Sequence, residues 1–485
     1  MIISDIRMNQ DKLEEFVRIL LAEKYEILSE DSKNNVKIEV REGVENIAVE
    51  TKLVEKSTGN VIGGTVLTFE KIGASYPDQA EVMAKTSLLK LFGKEKYYKW
   101  GALIGVRPTK IVRRFLNMGL SYGKIKEILK NIYFVSEEKI ALLMDISERQ
   151  EKYLNKDTIG IYIGIAFCPT KCSYCSFPAY LLKGRYRERY NEYIAALYRE
   201  IKEIGKLTEE LGLKVNTIYI GGGTPSILSE TEISNLLGTI VQNYNLGYLE
   251  EFTFEAGRID TLNKEKLEII KRYGVNKISI NPQSFNEKTL RLVNRYHDKE
   301  QFDNIYNISK ELGLEINMDL IIGLPGEDTE DIMNTLREVS RYDIKNLTVH
   351  NLAIKNASSL NKEKYRHKDT LDYKKIYDRI GEVVKNKEMF PYYMYRQKNS
   401  FQWGENLGYS KKGAESVYNI EMIEENKTII GIGAGAVTKL IWADPGKVKD
   451  NIRRLINPKD PLVWIDESER RLENKKNELR VLFKG

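Results

Sequence analysis

The chain has 485 residues, of which 42% are hydrophobic and 30% charged, as in an ordinary globular protein. A net charge of +6 does not require a nucleic-acid partner, and no apolar run is long enough for a membrane span. The length predicts two or three domains. Because the chain has only three cysteines and no signal-peptide pattern, we expect a cytoplasmic protein.

Residues 1–155 are predicted to form an α+β domain, to which the sequence assigns no role. Strand patterns cover 36–40, 47–54 and 61–69, and helical patterns cover 79–91, 124–132 and 137–154. Arg107, Lys110, Arg113 and Arg114 form a basic segment. We interpret it as a solvated helix face; the alternative is a dock for carboxylates, phosphates or RNA.

From residue 156 to 356 the pattern changes to alternating strands and helices. The six strand-like runs are 159–167, 215–221, 251–256, 276–281, 315–323 and 346–353. Such alternation predicts an α/β fold with a parallel sheet, open or closed into a barrel. Ligands of these folds lie at the C-terminal ends of the strands.

After residue 356 the alternation stops, and we predict a C-terminal region over 357–485. A lysine-rich linker precedes a helix near 371–385, the aromatic run 390–395 and the glycine-rich run 431–435. The aromatic run is interpreted as core or as a cover for a flat ligand.

All three cysteines fall within eight residues, at Cys168, Cys172 and Cys175, directly after the first of the six strands. Thiolates at this spacing can bind an iron–sulfur cube, and three of them leave one iron open. An open metal position is the usual mark of catalysis. Packing cysteines or a Cys3His zinc site are the alternatives, but every histidine lies far downstream.

Polar and glycine residues follow or occupy the next strands. The run 221–225, Gly-Gly-Gly-Thr-Pro, ends the second strand, where glycines allow a close approach of backbone N–H groups to a ligand. Glu255 and Gln283 end the third and fourth strands, and Asp319 lies in the fifth. Polar residues at such positions indicate a site.

With these motifs the sequence resembles the radical S-adenosylmethionine (SAM) enzymes of the oxygen-independent coproporphyrinogen III oxidase (dehydrogenase) family, most closely their HemZ-type branch. The resemblance implies a partial (βα)6 barrel over 156–356, a [4Fe–4S] cluster on the three cysteines, and SAM as second cofactor. The SAM-contacting residues that it implies are Tyr162, Tyr174, Gly222, Gly223, Thr224, Glu255, Gln283, Arg295, Asp319 and Ala353.

The implied reaction is the oxidative decarboxylation of two propionates of coproporphyrinogen III, giving protoporphyrinogen IX. It needs a tetrapyrrole substrate and an electron donor such as flavodoxin or ferredoxin. Arg258, Arg396 and Lys398 are our candidates for binding the propionates, because cations pair with carboxylates.

One position departs from the decarboxylating members of the family. They commonly carry a further cysteine two residues after the third ligand, where this chain has Phe177. An aromatic residue there is similar to the haem-chaperone branch. The alternatives are therefore a haem-binding chaperone with the same cofactors, or a radical SAM enzyme that opens or methylates haem.

Overall fold

The computed structural model describes residues 2–4, 13–14, 16–17, 33–73, 79–95, 98–154, 157–355, 358–362, 365, 371–397, 404–442 and 451–484. Within them the chain forms two compact units, Met1–Glu148 and Arg149–Pro445 with Asp450–Gly485. The predicted three-part division of the chain at 155 and 356 stays a prediction.

The N-terminal unit contains a four-stranded sheet in the order β1-β2-β3-β4. Its strands are β1 (Ile2–Ser4), β2 (Asn34–Glu42), β3 (Asn46–Glu55) and β4 (Val61–Glu70). Its helices are α1 (Gln79–Leu91), α2 (Thr109–Asn117), α3 (Tyr122–Asn131) and α4 (Glu137–Gln150), of which α4 runs two residues into the second unit. Alternate residues of β2 and β3, such as Val36, Ile38 and Val49, are buried, as expected for a sheet with one covered face.

The second unit is built on one eleven-stranded sheet with the linear order β13-β14-β12-β11-β10-β9-β8-β5-β15-β16-β17. Its six central parallel strands are β5 (Thr158–Ile165), β8 (Lys214–Gly222), β9 (Glu251–Phe254), β10 (Lys277–Ser279), β11 (Glu315–Ile322) and β12 (Asn346–Asn351). A separate two-stranded ladder joins β6 (Phe167–Cys168) to β7 (Tyr180–Leu181). The predicted α/β fold with a parallel sheet is confirmed.

Strands from beyond residue 356 extend this sheet at both edges. They are β13 (Phe390–Arg396), β14 (Glu405–Ser410), β15 (Ile429–Ile432), β16 (Val437–Trp442) and β17 (Asn451–Ile456). β14 pairs with β12 in antiparallel orientation at one edge of the parallel strands. β15 pairs with β5 in parallel orientation at the opposite edge, on the side of β5 away from β8. The aromatic run 390–395 is therefore a strand of the main sheet.

Helices connect the strands and cover the sheet. They are α5 (Arg185–Glu188), α6 (Tyr190–Glu210), α7 (Glu230–Asn243), α8 (Lys264–Arg272), α9 (Glu287–Leu292), α10 (Lys299–Glu311), α11 (Thr329–Ser340), α12 (Ser359–Lys362), α13 (Tyr373–Asn386), α14 (Val417–Glu424) and α15 (Pro461–Lys484). Ser229 and Glu232 form the capping box at the start of α7, as their spacing predicts. Asn263 accepts a hydrogen bond from the Lys266 backbone N–H at 2.9 Å and so begins α8.

The C-terminal helix α15 is fixed to the rest of the unit by a buried ion pair. Lys475 Nζ lies 2.5 Å from Glu200 Oε1 of α6, and both side chains are almost fully buried. Glu200 also accepts the Gly433 backbone N–H at 2.8 Å. The glycine-rich run 431–435 is thereby held beside β5, the strand that leads into the cysteine loop.

Candidate functional site

A cavity of about 400 Å³ lies at the C-terminal ends of the parallel strands. The three cysteines line it, together with every residue that the family resemblance assigns to SAM. The strands bring these residues together because the C-terminal ends of parallel strands meet at one edge of a sheet.

The cysteines lie on the loop 168–175, which follows β5 and is held by hydrogen bonds. The Thr224 hydroxyl donates to Cys168 Sγ at 3.2 Å, and Arg258 Nη1 donates to Cys172 Sγ at 3.6 Å. Burial raises the pKa of Cys168 to about 11, and it also raises the pKa of Cys175. A positive charge at this place is needed to keep both as thiolates.

The thiols do not have the arrangement of a single-ion site. Among the described residues, no three His, Cys, Asp or Glu side chains come together around one metal ion. This is compatible with a cubane, in which each thiolate binds a different iron, so that the three ligands stay apart.

The glycine run forms a tight contact with the start of the cysteine loop. The backbone N–H groups of Gly223 and Thr224 donate to the carbonyls of Ile165 and Phe167, at 2.6 and 2.8 Å. A Cβ on Gly223 would overlap the Phe167 carbonyl and lie 3.1 Å from Cys168 Sγ. Only glycine fits here, which explains the run that the sequence shows.

Two carboxylates on neighbouring strand ends have opposite pKa shifts. Burial, and then the charge of Asp319, raises the pKa of Glu255 to about 7. Burial pushes the pKa of Asp319 up as well, but the His350 ring, 3.8 Å away, and a hydrogen bond from Asn317 outweigh it and hold that pKa below its usual value. Asp319 is therefore the ionised member of the pair at neutral pH.

Gln283 and Arg295 each present a buried polar atom that has no partner. Gln283 has a left-handed backbone (φ 64°), and its Oε1 is buried without a hydrogen bond. Arg295 donates from Nη2 to the carbonyls of Gly257 and Asn281, at 2.7 and 2.5 Å, while its Nε is unpaired. Unsatisfied buried groups and backbone strain are both costly, so their occurrence here favours a bound polar ligand.

The structure places the three substrate-binding candidates differently. Arg258 lines the cavity, but its guanidinium is paired with Asp260 at 2.6 and 2.9 Å. Arg396 is buried at the end of β13 and does not line the cavity, whereas Gln397 does. Lys398 lies outside the described residues.

Two groups of lining residues escaped the sequence reasoning. Tyr219 forms a cluster of nearly parallel rings with Tyr162 and Tyr418, with ring centroids 6.2 and 4.4 Å away and the other two rings 6.3 Å apart. His350 Nε2 lies 3.8 Å from Asp319 Oδ2, and its Nδ1 lies 2.9 Å from the Tyr395 hydroxyl. Position along a strand could have suggested Tyr219, which is two residues before Gly221 and so on the same face. Tyr395 belongs to the aromatic run 390–395, which we interpret from the sequence as core or as a cover for a flat ligand. Nothing local indicates Tyr418, which comes from the distant C-terminal segment.

Comparisons with known proteins agree with this geometry. Residues 162–339 match the family model of the radical SAM superfamily. The Bacillus subtilis oxygen-independent coproporphyrinogen-III oxidase-like protein HemZ is 41% identical over 394 residues, covering 79% of this chain and 78% of that protein. The chain belongs to the radical SAM family that includes HemZ.

More distant members of the family are similar over shorter parts. The haem chaperone HemW of Lactococcus lactis is 32% identical over 57% of this chain and 68% of that protein. The solved structure of coproporphyrinogen III oxidase (HemN) from Escherichia coli has a TM-score of 0.50 and 20% identity, covering 67% of this chain and 73% of that one. That structure supports the fold.

The cofactors of this radical SAM protein are a [4Fe–4S] cluster and SAM. The site fits both groups: three free thiols face the cavity, the backbone at Gly222 and Gly223 leaves no room for a side chain, and Gln283 and Arg295 hold polar atoms unpaired. Among the described residues, no helix is both long and apolar enough to cross a membrane.

Proposed function

We propose that the protein converts the propionates of coproporphyrinogen III to vinyl groups by oxidative decarboxylation, in a reducing cytosol. The observation that carries the proposal is the composition of the cavity. The three-cysteine loop lines the cavity, and so do hydrogen-bonding side chains suited to carboxylates. These side chains are His350, Lys355, Tyr395 and Gln397.

The balance of the reaction explains what the cavity must do. A propionate loses CO2, one hydrogen atom and one electron, and becomes a vinyl group. When bound, the cluster and SAM supply the one-electron chemistry that removes the hydrogen atom. The electron released by the substrate passes to an acceptor.

The chain's own residues bind the cofactors, orient the reacting groups and exclude water. Cys168, Cys172 and Cys175 would hold the cluster. The polar groups of SAM would be held by Glu255, Gln283 and Arg295, which line the cavity together with the cysteines. Gln283 and Arg295 each have an unpaired buried polar atom, and Glu255 has a raised pKa. The stacked Tyr162, Tyr219 and Tyr418 form an aromatic floor that keeps water away from the reacting groups.

His350 is our candidate for the nearest contact to the reacting propionate. Its ring lies between Asp319 and Tyr395, and this pairing fixes its orientation. A ring N–H of a histidine held in this way can donate a hydrogen bond to a substrate carboxylate in the cavity. The sequence candidates Arg258, Arg396 and Lys398 stay predictions for the outer propionates.

A specific observation also favours the haem chaperone as second candidate. Phe177 replaces the further cysteine and is 66% exposed at the edge of the cavity, where it could lie against a flat macrocycle. The 32% identity to a protein named haem chaperone points the same way.

Anaerobic incubation with SAM, a chemical reductant and coproporphyrinogen III tests the proposal. We expect products, resolved by mass, in which one and then two propionates have become vinyl groups, each with the loss of one CO2 and the formation of one 5′-deoxyadenosine. Cys172→Ser serves as the inactive control. Tightly bound haem without vinyl products would select the chaperone, and a linear or methylated tetrapyrrole formed from haem would select the haem-modifying alternative.

A further inference from the structure

A second groove, of about 700 Å³, lies on the outer side of the cysteine loop. We call it the basic groove. It is lined by Lys171, Ser176, Phe177, Pro178, Ala179, Tyr180, Leu181, Lys183, Gly184, Arg185, Tyr186 and Lys459. Four of these residues are basic and none is acidic.

The basic groove and the cofactor cavity share one wall. Lys171, Ser176, Phe177 and Ala179 line both spaces. The Phe177 backbone N–H also hydrogen-bonds to the Cys175 thiol. A partner seated in the groove would therefore be separated from the third cluster ligand by a single chain segment.

The lining of the groove combines apolar and basic side chains. Phe177 is 66% exposed, and Pro178 and Ala179 next to it in the chain are half-buried. Lys171, Lys183 and Lys459 are exposed. Protein interfaces usually combine apolar and polar side chains.

The acidic groups near the groove do not cancel this charge. Asp460 is half-buried and accepts from the Tyr186 hydroxyl at 3.1 Å, with Arg185 at 3.8 Å. Glu188 is exposed on α5 beyond the lining. Lys171, Lys183 and Lys459 thus leave the groove with a net positive charge.

From this placement we infer that the basic groove is the docking surface for a small acidic electron-transfer protein with a flavin or iron–sulfur centre. One electron passes from its reduced centre to the cluster, so the donor is oxidised and the cluster reduced by one electron. The open shape and exposed lysines suit a transient protein encounter steered by charge. The inference rests on the cluster chemistry of the proposed function, but not on the identity of the tetrapyrrole.

Charge reversal in the groove tests the inference. The variant Lys183→Glu/Lys459→Glu changes two exposed side chains that are not cluster ligands. The matched control is Lys345→Glu/Lys412→Glu, which makes the same charge change at the opposite ends of the strands, where β12 begins and β14 ends. Affinity of the cluster-loaded proteins for an oxidised flavodoxin of net negative charge is measured anaerobically, at low and high salt.

We expect the wild-type affinity to fall with salt, the groove variant to bind about tenfold or more weakly at low salt, and the control to stay within about twofold. With dithionite as reductant, all three proteins should cleave SAM at equal rates, because a small reductant needs no docking. SAM cleavage and flavodoxin binding need no tetrapyrrole, so this result is independent of the coproporphyrinogen assay.

Other outcomes would overturn the inference. These are no measurable flavodoxin binding by the wild type at low salt, unchanged binding by the groove variant, or an equal loss in the control. Weaker coproporphyrin binding by the groove variant, with flavodoxin affinity unchanged, would assign the groove to carboxylates of a small molecule.

Discussion

Replacing Glu255 with Gln should make the SAM-free protein more stable at neutral and alkaline pH. The pKa of Glu255 is about 7 in the folded chain against a reference of 4.5, a difference of about 2.5 units. At 1.36 kcal/mol per unit this corresponds to about 3 kcal/mol. The stabilisation by the neutral acid is fully present below pH 4.5 and is lost as the pH rises through 7.

Glu255→Gln keeps the shape and stays neutral at every pH. The variant should therefore be more stable than the wild type by only about 1 kcal/mol at pH 5 and by about 3 kcal/mol at pH 8. Thermal unfolding of the SAM-free proteins at pH 5, 6, 7 and 8 measures the difference. Asp319→Asn is the control, because removing the neighbouring charge should lower the pKa of Glu255. In that background, Glu255→Gln should therefore raise the stability at pH 8 by less.

Glu255→Gln should also weaken the binding of SAM. Hydrogen bonds to a charged group contribute about 1.5–3 kcal/mol, so Glu255→Gln should weaken SAM binding by about tenfold to a hundredfold while the cluster content is unchanged. A variant that is no more stable than the wild type at pH 8, or that binds SAM equally well, would refute the reasoning about Glu255.

Three further predictions concern other parts of the second unit. Cys172→Ala should lose the broad visible absorbance of the cluster after anaerobic reconstitution, and full iron content would contradict its role as ligand. Gly223→Ala should lower cluster incorporation, measured as iron per chain, because a methyl group there overlaps the Phe167 carbonyl; normal incorporation would contradict the tight contact. Lys427→Met should lower the free energy of unfolding by about 3–5 kcal/mol, since it leaves the fully buried Glu421, 2.8 Å away, without its cation. Denaturant unfolding measures that loss, and the double variant with Glu421→Met should recover part of it.

The cofactor side of the site could be predicted from the sequence because its signals are local. Three thiols within eight residues, and a glycine run after a strand, carry their chemistry in their spacing. Glu255 and Gln283 were predicted from the ends of parallel strands and Asp319 from within one, and strand order does not change which end of the sheet a strand end occupies. For that reason Glu255 and Asp319 meet in the cavity whatever the intervening helices do.

The other wall of the cavity depends on the tertiary structure. Tyr395 and Tyr418 come from segments more than 200 residues after the cysteines, and they reach the site because β13 and β14 extend the sheet beyond β12 and α14 lies nearby. No short-range sequence pattern indicates that β13 and β14 pair with the edge of the parallel sheet.

What the sequence by itself determined is the identity of the reactive centre, because ligand type and spacing are properties of a few consecutive residues. Only the tertiary structure decided which charges are free to act. The guanidinium of Arg258 is paired with Asp260, and Arg396 does not line the cavity. Lys171, Lys183 and Lys459 line the same groove as Phe177. Electrostatics depends on the distances between charged groups in space, and folding sets those distances.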